Sequence, residues 1–119
     1  MDYNDVLKLA GFEVNAFEYF GGCQGQWIAI INGGKDFIID YYGTCSGCDD
    51  LEAFIADSDY NYSRKMTKKD AVEFCKDYDI RPIHELLTCA EIDVWDEEEM
   101  DKLKKFKEKW GQQNEKEIR

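Results

Sequence analysis

The run Gln26-Trp27-Ile28-Ala29-Ile30-Ile31 constrains this chain more than any other stretch. An apolar run without polar alternation describes a strand covered on both faces, and such a strand belongs at the centre of a sheet. Asn32-Gly33 follows at once; both residues tolerate the positive φ of a type I′ turn, so the chain folds back on itself. Residues 36–42 are then the returning strand, with Phe37, Ile39 and Tyr41 on one face and Ile38, Asp40 and Tyr42 on the other. Upstream, 14–20 reads as a first strand ended by Gly21-Gly22, with Phe12, Val14 and Ala16 to one side and Cys23-Gln24-Gly25 as the turn. The result is an antiparallel meander. It delivers Cys45-Ser46-Gly47-Cys48 onto a helix near 49–57, whose buried stripe is Leu51, Phe54 and Ile55. The unit 17–57 organises the fold.

The flanking segments read as helices that cover the sheet. Residues 2–10 open under an Asp2 cap with Asp5 three positions on, and stop at Gly11. Residues 57–66 form a polar loop. Thr67 with Asp70 makes a capping box for a helix reaching about Tyr78, with Ala71, Phe74, Cys75 and Tyr78 facing inward. Pro82 suits the first position of a short helix over 82–88, with Ile83, Leu86 and Leu87 inward. Ile92, Val94 and Trp95 are expected to add a short strand. Asp96 with Glu99 caps the longest helix, 97–111, whose apolar positions are Met100, Leu103, Phe106 and Trp110. Residues 112–119 read as a flexible tail. The expected fold is α+β: a three- to four-stranded antiparallel sheet packed by three to five helices, in one domain over 1–111.

Charge narrows the function classes. The chain carries 15 Lys and Arg against 26 Asp and Glu, a net charge of −11. Between Lys35 and Arg64 stand seven acids (Asp36, Asp40, Asp49, Asp50, Glu52, Asp57, Asp59) and no base. From Asp96 onward, eight acids nearly cancel seven bases. The acidity therefore belongs to the middle of the chain. Such a surface repels the phosphates of nucleic acid and suits a basic protein partner or a hard cation. No apolar run approaches the roughly 20 residues that cross a bilayer, and Met1-Asp2-Tyr3-Asn4-Asp5 lacks the basic start of a signal peptide. The expected location is a cytoplasm, bacterial or phage-infected, with no contact with membrane. Five cysteines are an odd number, which in that setting favours free thiols or a metal over a disulfide framework.

The Cys45/Cys48 loop is where chemistry is most expected, and several readings compete there. A Cys-x-x-Cys at a helix start suits a redox dithiol. The preceding strands, however, are joined by a hairpin rather than a crossover helix, and Asp49, Asp50 and Glu52 raise a thiol pKa instead of lowering it. Zinc is the second reading, with Cys23, Cys45 and Cys48 as ligands and His84, or else Cys75 or Cys89, as the fourth, although a second Cys-x-x-Cys or Cys-x-x-His is absent. Calcium at Asp49, Asp50, Glu52, Asp57 and Asp59 fails the spacing of a calcium-binding loop. In the fourth reading the loop is a tight connector whose cysteines pack as small apolar side chains, as Cys75 and Cys89 are also expected to do. His84, the single histidine, has no motif partner for base catalysis. Tyr60 and Tyr62 are expected to be exposed among the acids, a combination common at protein-binding surfaces.

Tyr42-Gly43-Thr44-Cys45-Ser46-Gly47-Cys48-Asp49, with Gly25-Gln26-Trp27 in the strand before it, resembles a motif of small phage and prophage proteins. In those the motif reads Gly-Ser-Cys-Ser-Gly-Cys-Asp, so Thr44 stands where they carry Ser. The resemblance covers residues 17–57 and implies a mobile-element origin without an activity. The sequence thus points to a non-enzymatic acidic binding protein with no cofactor. Asp49, Asp50, Glu52, Asp57, Asp59, Tyr60 and Tyr62 would meet a basic, nucleic-acid-binding surface of a protein partner, inhibiting it or standing in for nucleic acid there. The alternative is a zinc- or thiol-dependent protein centred on Cys45 and Cys48.

Overall fold

The computed structural model describes residues 2–22, 24–43, 51, 66–89, 92, 94 and 96–118, the last seven by backbone alone. Its centre is an antiparallel sheet of four strands in sequence order: β1 (Val14–Gly21), β2 (Gln24–Ile31), β3 (Asp36–Gly43) and the short β4 (Arg81–Pro82). Helix α1 (Tyr3–Ala10) precedes the sheet, α2 (Lys68–Cys75) leads into β4, and α3 (Glu97–Ile118) follows it. The α+β meander expected from the sequence is the fold, with the helix number at the low end of the expected range among the described residues.

Strand β2 has helical layers on both sides. Trp27, Ala29 and Ile31 point to one face and meet Val6 and Leu7 of α1, Ala71 and Cys75 of α2, and Ile38 of β3. Ile28 and Ile30 point to the other and meet Phe20, Phe37, Ile83 and Leu86, with Leu103, Phe106 and Trp110 of α3 packed against them. Every residue from Trp27 to Ile31 is fully buried. Each such aliphatic side chain contributes about 1.5–3 kcal/mol relative to exposure, so this strand fixes the register of the whole sheet.

The helix starts are as the sequence suggested. Asp2 and Asp5 form a reciprocal capping box, as do Thr67 and Asp70, and Gly11 ends α1 in the left-handed conformation. Asp96 Oδ1 accepts from the Glu98 N–H at 2.9 Å, but Glu99 does not close a box with it. Its carboxylate instead accepts from the Gly21 N–H at 3.4 Å.

Several expectations are corrected. Asn32 and Gly33 have positive φ (57° and 72°), yet Gly34 does too (86°), and the closing pair is Ile31 with Asp36. The hairpin therefore has a four-residue loop over 32–35. Between Val14 and Ala16 the register with β2 slips, so Val14 and Ala16 face opposite sides instead of sharing one. Asn15 sits at this bulge, and its Oδ1 accepts from the Gly34 N–H at 3.1 Å, tying the bulge to the neighbouring hairpin. Pro82 does not begin a helix. With ψ at 145° it is extended and pairs with Asp36, while Arg81 pairs with Phe37, and only a 3₁₀ turn, Ile83–Glu85, follows. A proline at a sheet edge loses no ladder bond, so its fixed φ serves a strand as well as a helix start. Of the strand expected at Ile92, Val94 and Trp95, Trp95 lies outside the described residues, and Ile92 and Val94 lie outside the sheet, packed on the α3 side of the core. Helix α3 continues to Ile118, through the stretch expected as a tail. The helix expected over 49–57 lies outside the described residues except for Leu51, which is buried.

Candidate protein-binding surface

The residues singled out by sequence divide sharply. Cys23, Cys45 and Cys48 lie outside the described residues, as do Asp49, Asp50, Glu52, Asp57, Asp59, Tyr60 and Tyr62. His84 is described, and it is exposed on the 3₁₀ turn. Cys75 and Cys89 are buried free thiols in separate parts of the core, as expected of small apolar side chains. Burial pushes the Cys75 thiol up to about 11, so it remains protonated and a poor nucleophile at neutral pH. Among the described residues no three His, Cys, Asp or Glu side chains converge as a metal site would require.

What the structure does assemble on the α1/α2 face is an aromatic layer with one carboxylate. Trp27 stacks on Phe17 at 5.3 Å between ring centroids, packs on Tyr3 at 5.3 Å, and meets the edge of Tyr78 at 5.5 Å. Phe17 and Tyr19 meet edge to face, and Tyr19 meets Tyr42 in the same way at 4.9 Å. The sheet register sets Asp40 directly across from Trp27. Burial first, and the Asp40 carboxylate second, hold the Tyr78 phenol protonated far above its ordinary range. The indole N–H of Trp27 has no hydrogen-bond partner among the described residues. At the margin of this layer the Leu51 N–H donates to the Tyr3 hydroxyl at 3.4 Å. In sequence Leu51 lies between Asp49-Asp50 and Glu52.

On the opposite face of β3 the cover runs out. Phe37 lies under Ile83 and Leu86, and Ile39 is partly buried beside them. Strand β4 pairs only with Asp36 and Phe37, and two positions past Ile39 the Tyr41 ring is 66% exposed. Sequence reasoning assigned Tyr41 to the same face as Phe37 and Ile39, and alternation does place it there. What alternation cannot report is how far the covering layer extends. Tyr41 is thus an exposed aromatic inside the base-free acidic span, the role that sequence assigned to Tyr60 and Tyr62.

A second exposed apolar region borders α3. Met100, expected in the core stripe with Leu103, Phe106 and Trp110, is instead 52% exposed at the mouth of a groove of about 360 Å³. Leu103, Phe106 and Trp110 pack on the core, whereas Met100 lines the groove with Leu87, Ile92 and Val94.

Among the described residues, burial holds the Cys75 thiol and the Tyr78 phenol protonated. No family model, curated protein or solved structure matches the chain.

Proposed function

We propose that this chain is a small acidic binding protein of mobile-element origin that acts by contact with a basic surface of a protein partner. The supporting observation is Tyr41, two-thirds exposed within a span that holds seven acids and no base between Lys35 and Arg64. An aromatic ring supplies contact area at little entropic cost, while the surrounding carboxylates select a cationic partner and speed its approach. A surface of this sign competes with nucleic acid for a basic groove rather than binding nucleic acid itself.

The test is capture from a bacterial lysate at low and high salt, with wild-type protein and a Tyr41→Ala variant. A basic partner retained at low salt, released at high salt and weakened by Tyr41→Ala is expected. Partners captured equally by the variant and at all salt concentrations would argue against the reading.

A further inference from the structure

Charge is segregated along α3: Glu97, Glu98, Glu99 and Asp101 open it, and the turns that follow are basic. From Lys102 to Lys109 there are five lysines and one acid, Glu108, in a protein of net charge −11. Some of these lysines are engaged. Lys102 is held by Glu18 and Glu99, Lys105 pairs with Asp101 at 3.0 Å, and Lys107 donates to the Cys89 carbonyl. Lys104 is exposed and makes no ion pair among the described residues. It stands with Lys107 on the rim of the groove, where Glu108 is the one acid among the described residues.

The floor of that groove is aliphatic: Leu87, Ile92, Val94, Met100 and Leu103. Met100 and Leu87 are exposed, and at Gly111 a Cβ would stand 2.7 Å from Leu87 Cγ, so the groove's far wall is set by the close approach of α3 to the turn after β4. An apolar trough lined by an unbranched, polarizable methionine is the kind of surface that receives an amphipathic segment of another protein. The rim lysines decide which kind. An apolar segment flanked by carboxylates gains from Lys104 and Lys107, whereas one flanked by lysines meets them as like charges.

We infer that the α3 groove is a docking site for a short acidic, aliphatic segment of a protein partner, a role that does not rest on the one proposed for the acidic span. The charged residues described at the groove are two lysines and one acid, so its contact is tested apart from that of Tyr41.

The probe is a short fluorescein-labelled amphipathic peptide of leucine and glutamate, with leucines at i, i+3, i+4 and i+7, measured by fluorescence anisotropy. Control peptides replace every glutamate by lysine, or every leucine by serine. Saturable binding of the leucine–glutamate peptide alone is expected, weakening with salt. Met100→Glu and Lys104→Glu are each expected to weaken it about fivefold or more, as truncation of a central contact does. Both positions are exposed, and unchanged thermal melts of the variants verify that the fold is intact. Tyr41→Ala is expected to leave peptide binding unchanged. Equal or tighter binding of the leucine–lysine peptide, or indifference to Met100→Glu, would overturn the proposal. So would a concentration-dependent dimer abolished by Met100→Glu, which would assign the groove to a second copy of this chain.

Discussion

Lys102 joins parts of the chain that are far apart in sequence. Its Nζ donates to the Tyr19 carbonyl at 2.7 Å, pairs with Glu18 at 3.1 Å and Glu99 at 3.4 Å, and lies 5.2 Å from the centre of the Phe20 ring. Partial burial disfavours its charge, but the two carboxylates outweigh that and raise its pKa. Lys102→Met keeps the aliphatic stem and removes these contacts. Because the site is partly exposed, a loss of about 1 kcal/mol is expected, read from the urea midpoint. Cys75 provides a second expectation at this scale: a thiol reagent at neutral pH should modify it only as fast as the fold opens. Its burial was legible, because it falls in the stripe with Ala71 and Phe74. The role of Lys102 was only partly legible: Glu99 stands three positions before it, but Glu18 and the Tyr19 carbonyl lie some eighty positions upstream, where no local pattern marks them. Alternation placed Tyr41 on its face without reporting its exposure, and the helical stripe placed Met100 in a core it does not enter. Periodicity reports direction, and only the tertiary cover decides burial.

Among the elements, the β1–β2 hairpin carries the tightest constraint. Gly21 pairs with Gly25 and has φ 122°, and a Cβ on Gly25 would stand 2.2 Å from the Phe20 carbonyl oxygen. Backbone must move to accept it. Gly25→Ala is expected to cost about 1–3 kcal/mol, a larger fall in melting temperature than Thr67→Ala, which removes one cap worth about 1 kcal/mol. The caps of α1 and α2 and the central position of β2 were readable because each rests on residues within one turn or one strand. The bulge at Asn15 depends on a partner across the hairpin, and β4 on whether Arg81 meets β3. Pro82 satisfies the local rules for both a helix start and an edge strand, so only Arg81 pairing with Phe37 settles its state.

For the molecule as a whole, the resolved titrations lean one way. Cys75, Tyr78 and Lys102 all hold their protons more tightly in the folded chain than their ordinary values allow. When the native state binds more protons than the unfolded one, stability falls as pH rises. For Cys75 that contribution is intact below its ordinary value of 9.0 and is lost toward about 11. Urea midpoints should therefore hold steady from neutral pH to about 9 and decline above it; a midpoint that rises between pH 9 and 11 would contradict the assignment. The basic stretch of α3, Lys102 to Lys109, was visible in the bare order of charges. Its fastening was not. Glu99 and Lys102 lie across the outer edge of β1, capping the Gly21 N–H and the Tyr19 carbonyl that another strand would otherwise seek. During synthesis on the ribosome β1 emerges long before those two side chains exist. Over that interval the sheet has an open margin able to recruit a neighbouring nascent chain, and arrival of α3 closes it.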